Sequence, residues 1–149
     1  MDKEIIEQKF RKYFEPHELV SPLHYTDFDD KDDIYALFDD KLKAVIVYIR
    51  ETINKPFVVN NWKKQGQFQY RGYRDRTCSI GAPKSMHRQG KALDFDIIGW
   101  DAETSRGRII ELCIKGLPYP IRMEKGVNWV HIDVKEVENS THKINLFAP

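Results

Sequence analysis

The chain has 149 residues, 41% hydrophobic and 32% charged, which is material for one domain of about 50 to 200 residues and too apolar for a disordered tail despite a mean hydropathy of -0.59. With 24 basic against 23 acidic residues net charge favours no class of partner. No apolar stretch nears the roughly 20 residues that cross a bilayer, and Met1-Asp2-Lys3-Glu4 is charged where a secretory leader would be apolar, so we expect a soluble monomer made in the cytoplasm, without signal peptide or membrane insertion.

Ile6, Phe10, Tyr13 and Phe14 recur at helical spacing and predict a short amphipathic helix over residues 3–14, before Pro16. A loop rich in Pro and Asp follows. Ile34, Leu37, Phe38, Leu42, Val45, Ile46, Ile49 and Ile53 then keep the i, i+3, i+4, i+7 rhythm, which predicts one long helix from Asp33 to Ile53. Phe57-Val58-Val59 reads as a short strand. The next 30 residues carry Gly66, Gly72, Gly81 and Pro83 without a sustained period, and loops that long in a compact domain are usually functional or disordered.

Ala92 to Ile98 alternates as a strand does. A helix from Ala102 to Lys115 is expected, capped by Asp101 and stopped by Gly116 and Pro118. Ile121 to Glu124 and Trp129 to Val134 read as a hairpin around Lys125-Gly126, and Ile144 to Phe147 as an added edge strand. The order predicts an α+β domain over residues 1–149: a small, mainly antiparallel sheet flanked by helices, with a helical part over about residues 1–55 and a site-bearing core over about 56–137.

Charge is unevenly spread. Seven aspartates and one lysine lie between Asp27 and Asp40, and eight basic residues (Lys63, Lys64, Arg71, Arg74, Arg76, Lys84, Arg88, Lys91) against Asp75 alone between Lys63 and Lys91. The basic stretch lacks any nucleic-acid-binding motif, and nucleic acid is not expected as a partner. Cys78 and Cys113 form no C-x-x-C pair and read as free, partly buried thiols.

Two of the five histidines lie beside acidic residues in strand-like segments. A chain turning at Gly90 brings His87 and Asp94 to one point, and strand alternation in Trp129-Val130-His131-Ile132-Asp133 sends Trp129, His131 and Asp133 to one face. Two imidazoles and a carboxylate make a catalytic zinc set, with the fourth position left for water or substrate.

The string Ser85-Met86-His87-Arg88-Gln89-Gly90-Lys91-Ala92-Leu93-Asp94-Phe95 resembles the S-x-H-x-x-G-x-A-x-D signature of the zinc D-alanyl-D-alanine carboxypeptidase and endolysin family at all five fixed positions. Gly72-Tyr73-Arg74 looks like its G-Y-R segment, and Trp129 to Asp133 like its last metal strand. The resemblance spans about Val59 to Val134. Val59-Asn60-Asn61-Trp62 and Gln67 to Gly72 are similar to the phage and prophage branch.

The resemblance implies a hedgehog-like fold with a four-stranded antiparallel sheet, and one zinc ion per chain on His87, Asp94 and His131. It implies Arg74 toward the substrate carbonyl or carboxylate, and Ser85 orienting a ligand through its hydroxyl. The implied activity is hydrolysis of a peptidoglycan stem-peptide amide bond, as a carboxypeptidase or endopeptidase. Release to the cell wall by a holin, or carriage in a virion, would suit such an enzyme. Many relatives place the catalytic acid three residues before the last histidine, where this chain has Asn128, an amide that cannot accept the proton.

Glu124 is the replacement expected. If the hairpin loop is Lys125 to Asn128, Glu124 pairs with Trp129 and lies diagonal to His131 at about 7 to 8 Å. Asp133 and Asp96 share the faces of His131 and Asp94 respectively, and either could orient a ligand imidazole or serve as the base, with Asp133 the second choice of base. Trp62, Tyr70, Tyr73 and Trp129 are candidate groove walls. The alternative is a catalytically silent zinc-binding module of the same fold.

Overall fold

The computed structural model describes residues 2–75, 78–80 and 85–149. Arg76 and Lys84 of the basic stretch, and Gly81 and Pro83 of the long loop, lie outside the described residues. Helix α1 (Lys3–Tyr13) starts at Asp2, whose carboxylate accepts from the amides of Glu4 and Ile5. A four-residue helix, α2 (Pro22–Tyr25), interrupts the Pro- and Asp-rich loop.

The long helix expected from Asp33 to Ile53 is two elements, a 3₁₀ segment (Lys31–Leu37) and helix α3 (Asp40–Ile53). Phe38 and Asp39 between them are extended, the Asp39 side chain caps α3 at the Lys41 amide, and the Asp39 amide donates to Gly90 O at 2.9 Å. A continuous helix would forfeit that bond. The apolar rhythm runs through the break because Ile34, Tyr35 and Phe38 enter the same core as Leu42 and Val45. The aspartates around the break thus serve as caps, Asp30 for the 3₁₀ segment and Asp39 for α3.

Strands β1 (Phe57–Val58), β2 (Ala92–Ile97), β3 (Ile121–Glu124), β4 (Val130–Asp133) and β5 (Ile144–Phe147) form one sheet in the order β1-β2-β4-β3-β5. Helix α4 (Ala102–Cys113) is capped by Asp101 at the Thr104 amide, as expected. The α+β architecture and the mainly antiparallel sheet are as expected. The sheet has five strands, however, and β5 pairs with β3 in parallel, so it is mixed where the resemblance implied four antiparallel strands.

Alternation gives the sheet two unlike faces. Leu93, Phe95, Ile97, Val130, Ile132, Ile121 and Met123 are buried in one cluster with Phe10 of α1, the Leu42, Val45, Ile46 and Ile49 stripe of α3, and Ile109 of α4. Phe57 stacks on Phe95 at 4.3 Å, tying β1 to this core. The opposite face carries Asp94, Asp96, His131 and Asp133 and is covered in part by the long loop. Cys78 and Cys113 are free and buried. Among the described residues no helix is long and apolar enough to cross a membrane.

Candidate metal centre

Asp94 of β2 and His131 of β4 are direct partners in the sheet. His87 reaches the same point from the 3₁₀ turn Met86–Gln89. The Ser85 hydroxyl caps that turn, accepting from the His87 amide at 3.2 Å, so Ser85 orients the ligand through its backbone. Gly90 ends the turn at φ +68, and a Cβ there would lie 1.9 Å from Leu37 O. Only glycine satisfies both the left-handed conformation and that approach. The chain then enters β2, and Asp94 follows on the site face.

The three residues are 2%, 5% and 7% exposed for His87, Asp94 and His131, and their ligand atoms lie within 4.8 Å of one another. This buried group could hold a metal ion. His87 Nδ1 donates to the carbonyl of Gly72 at 2.8 Å, because a carbonyl can only accept, and Nε2 is thereby turned into the cluster, 3.2 Å from Asp94 Oδ1. His131 turns Nε2 to Asp133 Oδ2 and Nδ1 to Asp94 Oδ1, both at 2.7 Å. Donors on one tetrahedral ion with bonds of about 2.0–2.1 Å stand about 3.3 Å apart. The His87–Asp94 spacing meets that, and the His131–Asp94 contact is the length of a shared proton.

Electrostatics agree with the geometry. Burial pushes the Asp94 carboxyl up, but the interaction with His87 and the hydrogen bonds from both histidines outweigh it and hold the group well below the usual carboxylate range. Burial disfavours the His131 cation, yet the hydrogen bonds of Asp133 and Asp94 raise its pKa to about 9. Burial likewise opposes ionisation of Asp133, and His131 and Arg122 reverse the sign, leaving it lowered.

Asp133 is fully buried. Its Oδ1 accepts from Arg122 Nε at 2.8 Å and the Lys135 amide at 3.2 Å, and its Oδ2 from Arg122 Nη2 and His131 Nε2, each at 2.7 Å. A carboxylate engaged on both oxygens suits orientation of His131 better than proton transfer. Sequence reasoning missed Arg122; the only signal for it was the hairpin register, which pairs Arg122 with Asp133.

Arg74 reaches the cluster, with Nη2 3.5 Å from Asp94 Oδ2 and Nε donating to Tyr70 O at 2.8 Å. Glu124 also shares the site face, but the register differs from that expected. Met123 faces Ile132, so one step further Glu124 is level with His131 and not with Trp129. The connection is longer than four residues because Arg106 of α4 draws the carbonyls of Val127 and Trp129 to itself. Asn128 lies in that connection, exposed.

Asp96 pairs with Arg71, whose Nη1 is 2.9 Å from Oδ2 and whose guanidinium lies 3.4 Å from the Phe68 ring centroid. Much of the basic stretch is thus turned inward. Trp62 packs edge-on against His17 and Tyr25, and Tyr73 lies tilted against His24 and edge-on against Phe38, so these two candidate walls anchor the long loop to the segment before α3. A second group, His24, Asp27 and Asp75, has ligand atoms equally close together, but at half-buried and exposed positions where acidic groups commonly gather without an ion.

Comparison with protein-family models, curated proteins and solved structures finds no match for this chain.

Proposed function

We propose that the chain is a zinc-dependent peptidase that hydrolyses an amide bond of the peptidoglycan stem peptide. The observation that carries this reading is the convergence of two imidazole nitrogens, one carboxylate and one arginine at a single buried point on the polar face of the sheet. The likeness of Ser85 to Phe95, Gly72 to Arg74 and Trp129 to Asp133 to the zinc carboxypeptidase and endolysin family supports it, and a phage or prophage lysis enzyme is the setting we propose.

His87 Nε2, Asp94 Oδ1 and His131 Nδ1 would hold the ion, a donor set of two nitrogens and one oxygen suited to zinc with one position open. When bound, zinc supplies Lewis acidity: it polarises a carbonyl and acidifies water. Asp133 keeps the proton on His131 Nε2. The carboxylate of Glu124, half-buried and level with His131, has no hydrogen bond or ion pair among the described residues, so it is free to take a proton from water and pass it to the leaving amine. Arg74, held at Tyr70 O and beside Asp94, presents its remaining N–H groups to the carbonyl oxygen, or to a terminal carboxylate, as negative charge gathers there.

The zinc-loaded protein is expected to release new amino groups from purified cell walls. Glu124→Gln should keep zinc and fold but lose about 100-fold or more of that rate, the scale of a positioned general base. Asn128 in place of the expected acid favours the silent-module reading. Zinc uptake by the wild type without release of amino groups from walls of any stem-peptide chemistry would establish that reading and overturn ours.

A further inference from the structure

Arg122 belongs to neither the metal ligands nor the groups assigned to substrate, yet its guanidinium is engaged on both oxygens of a carboxylate that holds His131. Its guanidinium grips Asp133 with two parallel bonds, at 2.8 Å from Nε to Oδ1 and 2.7 Å from Nη2 to Oδ2. The plane of a guanidinium and the plane of a carboxylate lock each other in this fork, which a point charge cannot do. The other face of the guanidinium lies against the Phe147 ring, 4.1 Å from its centroid. Phe147 also meets the His131 ring edge-on at 5.6 Å and 83°. The aromatic ring of β5 therefore touches both Arg122 and His131.

We infer that Arg122 is a positioning residue for the metal site: it pins Asp133, Asp133 fixes which nitrogen of His131 carries hydrogen, and Phe147 holds the arginine against the pair. The inference rests on the metal-holding reading of His87, Asp94 and His131. A carboxylate only accepts, so with Asp133 and Asp94 oxygens each at 2.7 Å both ring nitrogens carry hydrogen in the metal-free protein; when a metal takes Nδ1, the Asp133 oxygen keeps the remaining hydrogen on Nε2. Arg122 supplies two of the four hydrogen bonds to Asp133, the others coming from His131 and the Lys135 amide. Without it, a fully buried carboxylate keeps its charge with half its partners and can turn about its Cβ–Cγ bond. The His131 ring would then lose the restraint that aims Nδ1.

Parallel pairing of β5 with β3 makes this arrangement possible. It sets Asn145 beside Arg122 and Phe147 beside Glu124, so the last strand contributes its aromatic ring at the level of the site. The last strand thereby becomes part of the ligands' support.

The test compares Arg122→Lys, Arg122→Met and Phe147→Leu with wild type, measuring zinc affinity by chelator competition and the state of the His131 ring by imidazole nitrogen NMR in the zinc-loaded protein. Arg122→Met should weaken zinc binding by about tenfold or more, the scale seen when a partner behind a metal ligand is removed. Arg122→Lys keeps the charge but not the fork and should fall between the two, which separates geometry from charge. Phe147→Leu should weaken binding by a few-fold with the ion pair intact. Wild type should show hydrogen on His131 Nε2 and metal on Nδ1, and Arg122→Met a second, exchanging state.

Folded Arg122→Lys and Arg122→Met with wild-type zinc affinity and unchanged His131 signals, but a lowered melting temperature, would reduce Arg122 to a structural staple and overturn the inference. Failure of the wild type itself to take up zinc would overturn the metal-holding reading with it. Should Arg122→Met not fold, Arg122→Lys and Phe147→Leu still decide.

Discussion

Metal uptake by this site should be coupled to the loss of one proton. In the metal-free protein His131 lies between two carboxylates, and its pKa is raised to about 9. At pH 7 that is two units below the pKa, so about 99% of molecules carry the extra proton, and it must leave before Nδ1 can bind a metal. Two units correspond to about 3 kcal/mol, or roughly 100-fold in apparent affinity at pH 7 relative to pH above 9. Asp94 and Asp133, both held below the usual carboxylate range, stay ionised throughout and release nothing.

Zinc titrated calorimetrically at pH 7 into protein in buffers of different ionisation enthalpy should therefore release about one proton from His131. Affinity should rise about tenfold per pH unit between pH 6.5 and 8. Asp133→Asn removes a hydrogen bond that raises the His131 pKa, so proton release at pH 7.5 should fall and the slope flatten. A wild-type proton count near zero at pH 7 would refute the reasoning. The metal-free fold carries the same signature with opposite sign. A folded-state pKa above the ordinary 6.5 gives His131 a stabilising contribution that is complete below pH 6.5 and lost as pH rises through about 9.

Elemental analysis should find one zinc per chain in wild type and none held tightly after alanine replaces His87 or His131; a metal equivalent surviving both changes would instead map to His24, Asp27 and Asp75. Arg74→Ala should lower wall hydrolysis about 100-fold or more at constant zinc content, and Arg74→Lys should recover only part, whereas equal loss in Lys64→Ala, an exposed cation elsewhere in the basic stretch, would point to plain attraction to the anionic wall. Gly90→Ala should destabilise the protein by about 2 kcal/mol or more in urea unfolding, from the left-handed backbone and the 1.9 Å approach to Leu37 O; a change under about 0.5 kcal/mol would mean that the Leu37 segment simply yields.

Where information is local, the sequence alone determined the structure. The apolar period and the caps Asp2 and Asp101 define α1 and α4, and alternation defines β2 and the β3–β4 pair. The His87–Gly90–Asp94 spacing is also local, since one capped turn and one left-handed residue bring imidazole and carboxylate together. Four features depended on partners far along the chain. The break before α3 exists because the Asp39 amide finds Gly90 O, and periodicity cannot report a hydrogen bond to a residue about fifty positions away.

The hairpin register followed Arg106 in α4, which holds two carbonyls of the connection and so moved Glu124 level with His131. The edge strand's parallel direction left no trace in its four residues. The grip of Arg122 on Asp133 arose only once β3 and β4 were paired in that register. Side-chain chemistry and its spacing specify which groups can meet; the register and the long-range hydrogen bonds, which only the packed sheet and helices settle, decide which of them do.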